Sequence, residues 1–219
     1  MMLLSVKNNM LKRVARDIAS YSVVNLGMGY PLELLPHIPD DLGVMIHSEN
    51  GISSVGPVLG PGHADRNLID AGGGYVSVMP GTAFFDSATS FAMIRSGRLD
   101  MSVLGAFEVS EQGDLANWSI PNKFTPGMGG AVELAQKAKR VHVIMTHCDK
   151  HGNPKIKSKC ELPLTAAHCV DRIYTDLAVI DVTPEGLILT AVASHSSVSE
   201  VITLTAATLT LPKTEVEVF

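Results

Sequence analysis

The chain has 219 residues, enough for one large domain with a sizeable core; 46% are hydrophobic and only 18% charged, a balance that suits a buried parallel sheet or an apolar surface covered by a partner chain. A net charge of -5, with no Lys/Arg cluster interleaved with aromatics, gives no support to nucleic-acid binding, and no apolar run reaches the length of a membrane span. Three cysteines, an odd number, fit a reducing cytoplasmic compartment better than a disulfide framework, and Met1 to Lys7 lack the apolar region and cleavage site of a signal peptide.

In chain order, Val6, Met10, Leu11, Val14 and Ile18 recur at helical spacing and predict an amphipathic helix over about Val6 to Ala19. Val23 to Leu26 read as a strand that breaks into Gly27-Met28-Gly29, and a short helical segment is expected over Leu32 to Leu35 before Pro36 and Pro39 end it. The apolar run Val44 to His47 then stops at Ser48-Glu49-Asn50-Gly51. A long Gly/Pro-rich loop is predicted from Ile52 to Asn67, then a strand from Tyr75 to Met79 turned by Pro80-Gly81. Asp86 or Ser87 is positioned to cap a helix holding Phe91 and Ile94, which Ser96-Gly97 stops.

Met101 to Leu104 is a further strand, Glu108 to Lys123 a polar excursion or hairpin, and Pro126 to Gly130 opens a helix running to about Lys139. Lys137, Lys139 and Arg140 read as its charged last turn, and Lys155, Lys157 and Lys159 as the solvent face of a strand. Strands follow at Val141 to Met145, Ile173 to Val182 and Leu187 to Val192, with a final helix near Val198 to Thr205. This alternation predicts an α/β fold, an open and mainly parallel sheet flanked by helices, in a single domain over residues 1–219.

Three groups of residues compete for chemistry. Glu49 stands where a strand feeds a tight turn, the sheet edge at which α/β proteins place their sites, but spacing alone also allows a plain turn carboxylate. Gly127, Gly129 and Gly130 precede a helix and expose backbone N–H groups that suit an anion or an oxyanion. A carboxylate and such a donor nest are complementary in acyl transfer, one attacking the carbonyl carbon and the other holding the charge that develops on oxygen. His147, Cys148, His151, Cys160, His168 and Cys169 follow no metal-ligand spacing, and a metal site is not expected. No G-x-S-x-G elbow is present to suggest a serine hydrolase.

Several motifs, in order along nearly the whole chain, resemble the β subunit of class I CoA-transferases, the 3-oxoacid (succinyl-CoA:3-ketoacid, acetoacetate) CoA-transferase family. They are Asn25 to Gly29, Ser48-Glu49-Asn50-Gly51, Ala71-Gly72-Gly73, Pro80 to Ser87, Ala116-Asn117-Trp118, Pro126 to Ala131, and Leu162 to Thr165. The resemblance implies that Glu49 is a covalent nucleophile carrying CoA as a γ-glutamyl thioester. It places an oxyanion-hole N–H on Gly130, with Gly129 its neighbour, and CoA contacts or pocket-shaping roles on Asn25, Gly27, Asn50, Gly72, Gly73 and Asn117.

It further implies no tightly bound cofactor, CoA as substrate and product, and an α subunit partner, as α₂β₂, that supplies a second oxyanion donor. Gly73 stands where some relatives carry a CoA-reaching lysine, and Tyr30 to Leu34 and Leu59 to His63 depart from the family's usual loops. The alternatives are an acyl-CoA hydrolase using the same glutamate, and a non-catalytic CoA-binding subunit.

Overall fold

A computed structural model describes residues 2–60 and 62–219. Met1, and Pro61 within the departing loop Leu59 to His63, lie outside the described residues.

The first helix, α1 (Leu4–Ala15), starts and ends earlier than its apolar spacing suggests. It buries Met10, Leu11 and Val14 and leads to β1 (Val23–Leu26). Short 3₁₀ segments at Leu32–His37, with Pro36 inside the first, and Asp40–Leu42 connect to β2 (Met45–Ser48).

The expected loop after Gly51 is largely sheet: β3 (Ile52–Val58) hairpins back and pairs with β4 (Val76–Phe84). Pro57 is tolerated because β2 pairs with β3 only at Ser53 and Ile52, so no β2 carbonyl requires its missing N–H. Pro80-Gly81 does not end β4. The β3–β4 register shifts there, with Gly81 at φ 90° and Thr82 Oγ1 accepting the Met79 N–H at 2.8 Å, so the pair forms a bulge.

Next come α2 (Ser87–Arg95), capped by the Asp86 carboxylate on the Thr89 N–H, β5 (Met101–Gly105), and a hairpin of β6 (Glu108–Ser110) and β7 (Leu115–Ala116). They are followed by α3 (Ala131–Lys137), β8 (Val141–Ile144) and β9 (Ile156–Lys157). The stretch expected as one strand from Ile173 is two, β10 (Arg172–Tyr174) and β11 (Ala178–Thr183), paired antiparallel. Thr175 Oγ1 makes that turn by accepting from the N–H groups of Leu177 and Ala178. Last come β12 (Gly186–Val192), α4 (Val198–Thr203), β13 (Leu209–Thr210) and β14 (Glu217–Val218).

The large sheet runs β13-β12-β11-β10-β8-β5-β1-β2-β3-β4, with β14 beside β12; β6, β7 and β9 form a second, three-stranded sheet. Its centre, β10-β8-β5-β1-β2, is wholly parallel, and antiparallel pairs flank it. The α/β reading with a mainly parallel sheet therefore holds, with antiparallel pairs at its flanks.

Each face of the sheet carries its own core. On one side Met10 and Val14 of α1, with Ile18 just after it and Leu34, pack against Val24, Leu26, Met101 and Val103. On the other, Ile94 of α2, Leu134 of α3, Val201 of α4 and the small sheet cover Leu104, Val143 and Ile173. No helix of the described residues is long and apolar enough to cross a membrane.

Candidate active site

The order of the parallel strands reverses at β1: the chain leaves it for β2 on one side and later returns to β5 on the other. Loops at the carboxyl ends of such neighbouring strands diverge and leave a crevice. Here a cleft of about 730 Å³ opens there, lined by Gly27, Met28 and Gly29 after β1, Glu49 after β2, Phe107 after β5 and Thr146 after β8. The loop Pro126 to Gly130 closes one wall.

Strand register explains how Glu49 is held. Asn25 of β1 lies directly opposite His47 of β2, so the two side chains share a face. Glu49, two residues beyond His47, returns to that face. Asn25 is fully buried, and its amide nitrogen donates to Glu49 Oε2 at 3.1 Å and to the His47 carbonyl at 3.1 Å. Behind it, buried His47 reaches Ser90 Oγ on α2 through Nε2 at 3.0 Å and stacks on Phe85. Burial pushes the His47 pKa down to about 4, so the imidazole is neutral at physiological pH. His47 was not singled out among the sequence candidates; its place opposite Asn25 depends on strand pairing.

The turn itself is fixed by Gly51. Its φ is 119°, and a Cβ there would stand 2.0 Å from the Phe85 carbonyl oxygen. Ser48 Oγ accepts the Ala71 N–H at 2.9 Å, tying the turn to the next loop. In that loop Asp70, 3% exposed, accepts the N–H groups of Gly72 and Gly74 at 2.8 Å. Ala71 lines the cleft; Gly72 and Gly73 follow it as exposed backbone, Gly73 at φ 81°. Asn50 is exposed and donates to the Ile69 carbonyl at 2.8 Å.

Gly130 caps α3 and is buried against the nucleophile candidate: a Cβ there would lie 3.2 Å from Glu49 Cγ and 3.2 Å from the Phe91 ring. The N–H groups of Gly129 and Gly130 donate to no acceptor among the described residues. A buried N–H is rarely left unpaired, so the one on Gly130 is available to an incoming oxygen. Asn117 lines the cleft with its side chain already engaged, donating to the Gly105 carbonyl at 3.0 Å and accepting from Thr165 Oγ1 at 2.6 Å. Of the expected CoA-contacting positions, Gly27 and Asn117 line the cleft, Asn50, Gly72 and Gly73 do not, and Asn25 is buried behind Glu49.

The histidines and cysteines from His147 to Cys169 are engaged elsewhere. Buried His147 bonds to Thr175 and Thr205 hydroxyls, and burial pushes the Cys160 and Cys169 thiols up to about 12. Among the described residues no group of three or more His, Cys, Asp or Glu side chains converges as a metal site would need.

With this geometry in place, comparison with known proteins is specific. The family model described as Coenzyme A transferase matches residues 7–203. The chain is 45% identical over 201 residues to the β subunit of a probable coenzyme A transferase of Bacillus subtilis, covering 92% of this chain and 93% of that protein. It is 46% identical over 205 residues to the corresponding subunit of the 3-oxoadipate CoA-transferase of Acinetobacter baylyi, covering 93% and 94%. Among solved structures, an acyl-CoA transferase apoenzyme of Escherichia coli O157:H7 shares the fold at 17% identity with a TM-score of 0.76; all of this chain matches, spanning 44% of that longer chain. The chain belongs to the coenzyme A transferase family and is of its β-subunit type.

Proposed function

We propose that this chain transfers CoA between an acyl-CoA and a carboxylic acid, with Glu49 carrying CoA as a covalent γ-glutamyl thioester. The observation that carries this reading is the half-buried Glu49 carboxylate, held by Asn25 at 3.1 Å and lying against Gly130, whose N–H is unused.

In the first step a Glu49 carboxylate oxygen attacks the thioester carbonyl carbon. The C–S bond breaks, CoA leaves as thiolate, and a mixed anhydride remains. The thiolate then attacks Glu49 Cδ, the anhydride C–O bond breaks, and the original acid departs as its carboxylate. A second acid reverses the sequence, attacking Glu49 Cδ, displacing the thiolate, and receiving it at its own carbonyl. Each attack passes through a tetrahedral oxyanion, for which the Gly130 N–H is the donor with Gly129 beside it. Carboxylate is a poor nucleophile, so orientation of Glu49 by Asn25 and oxyanion stabilisation supply much of the rate. Gly27 and Asn117 form the cleft floor near the thioester, and Asn50, Gly72 and Gly73 flank the CoA approach.

The second oxyanion donor comes from an α subunit in an α₂β₂ assembly. The relatives' names, each that of one subunit of a transferase, support the pairing, as does the greater length of the E. coli chain. So do Met28, Phe124 and Met128, which line the cleft yet are 64%, 57% and 42% exposed. The acids are 3-oxo or short-chain acids, by analogy with the relatives named for 3-oxoadipate and acetate. Residues 1–219 act as one domain, in the cytoplasm, where the three free cysteines stay reduced.

Steady-state kinetics of the assembled α and β chains test the reading. Parallel double-reciprocal lines are expected, with donor acyl-CoA consumed beyond one equivalent per site only when an acid acceptor is present. Release of free CoA without any acceptor would instead identify a hydrolase.

A further inference from the structure

Three polar side chains stand behind Glu49 without lining the cleft: Asn25, His47 and Ser90, which are 0%, 3% and 0% exposed. Buried polar groups are costly unless they bond to one another, and these do so in series. Ser90 Oγ of α2 lies 3.0 Å from His47 Nε2, His47 Nδ1 lies 3.4 Å from Asn25 Nδ2, and Asn25 Nδ2 donates to Glu49 Oε2 at 3.1 Å. The direction of the Asn25 amide follows from these neighbours. One of its N–H bonds serves Glu49, and the other is shared between the His47 carbonyl at 3.1 Å and His47 Nδ1. A flipped amide would set its oxygen 3.1 Å from both the Glu49 carboxylate and the His47 carbonyl, two contacts between acceptors. The oxygen side of the amide adds nothing to the choice. Asn25 Oδ1 is buried without a partner among the described residues, as is Ser102 Oγ directly across the β1–β5 ladder. Orientation is therefore set from β2.

That arrangement selects one tautomer of His47. The imidazole is neutral at physiological pH, so its ring carries a single proton. With the proton on Nδ1, the ring N–H would meet the N–H of Asn25 and remain a buried donor without an acceptor. With the proton on Nε2, the ring donates to Ser90 Oγ, and Nδ1 presents its lone pair to Asn25. The Ser90 hydroxyl rotates to accept or to donate and fits either form, so Asn25 decides. On the CoA-transfer reading, on which this rests, we propose that His47 is a positioning residue: anchored to α2 through Ser90 as the Nε2–H tautomer, it keeps the N–H of the Asn25 amide turned to Glu49 and so aims the nucleophile.

Neutron diffraction from deuterated crystals of the chain assembled with its α partner reads this arrangement without turnover and without a variant. A deuteron on His47 Nε2, none on Nδ1, and the deuterated amide nitrogen of Asn25 facing Glu49 are expected. A deuteron on Nδ1, or the Asn25 oxygen facing Glu49, would overturn the assignment. Kinetics of two variants test the consequence. His47→Phe keeps a ring beside Phe85 but removes both nitrogens, whereas His47→Asn returns an acceptor near the place of Nδ1. His47→Phe should lower kcat about 10-fold, the scale of one lost hydrogen bond, with KM for the acyl-CoA changed less than about 3-fold; His47→Asn should recover part of the loss. An unchanged kcat in folded His47→Phe, or equal losses in the two variants, would assign His47 to packing alone and contradict the proposal. Should His47→Phe fail to fold, the neutron result decides. Borohydride trapping of wild-type Glu49 separates this outcome from failure of the covalent mechanism. A trapped Glu49 beside the Nδ1–H tautomer defeats the positioning role alone, whereas an untrapped Glu49 defeats the mechanism.

Discussion

Asn25 Nδ2 lies 3.1 Å from Glu49 Oε2, and Asn25 sits directly across the β1–β2 ladder from His47. The carboxylate is thus oriented from the rigid centre of a parallel sheet, although Glu49 itself stands on a turn.

Removing that support should cost rate more than fold. Asn25→Ala is expected to lower kcat by about 10²-fold, the scale seen when a positioned polar contact to a reacting group is lost, and to cost about 1–3 kcal/mol of stability. Asn25→Asp places a second carboxylate against Glu49 and should be less active than Asn25→Ala at pH 7, recovering relative to it as pH falls and one of the pair is protonated. Parallel pH–rate profiles of the two variants check this; superimposable profiles would contradict it.

Two glycines in the same site should fail in different ways. At Gly130 a Cβ would be 3.2 Å from both Glu49 Cγ and the Phe91 ring, so the neighbours must give by a few tenths of an ångström. Gly130→Ala should fold, with kcat reduced and its urea midpoint near that of wild type. Gly51→Ala meets the Phe85 carbonyl oxygen at 2.0 Å with φ at 119°, and should lose about 3 kcal/mol or more. Chemical denaturation and activity measured on both variants separate the two effects.

Acid should unfold the protein through its histidines. His47, His142 and His147 are buried, with pKa values pushed from 6.5 down to about 4. Between those values the unfolded chain binds more protons than the folded one. Stability is therefore full above pH 6.5 and is lost as pH falls toward 4, by up to about 3 kcal/mol for each histidine. Melting temperatures recorded from pH 7.5 to 4.5 should fall throughout the lower part of that range; a flat profile would show that these side chains are hydrated in the fold.

Much of this arrangement is visible in local pattern. Apolar runs ending at Gly27 and Ser48 announce parallel strands and their carboxyl edge, and Asp86 announces the cap of α2. What local pattern hides are features made by pairing. β3 is masked by Gly56 and Pro57, which sit where the strand needs no partner from β2, and the β4 bulge absorbs a Pro-Gly pair that would ordinarily mark a turn. Lys155 alternates with Lys157 and Lys159 and so resembles a solvent face. The strand there is only Ile156–Lys157: Lys157 pairs with Glu108 and Glu161, while Lys155, just before it, enters the cleft. The His47–Ser90 contact joins residues 43 apart in sequence, a separation that no periodicity reports.

The covalent role of Glu49 is tested most directly by trapping. The assembled complex is incubated with an acyl-CoA and no acceptor, reduced with borohydride, and digested for mass spectrometry. Reduction of a glutamyl thioester leaves an alcohol on the side chain, and the account predicts that change at Glu49 alone, absent from Glu49→Gln and at trace level in Glu49→Asp. An unmodified Glu49 under conditions where CoA exchange proceeds, or exchange that survives in Glu49→Gln, would contradict it.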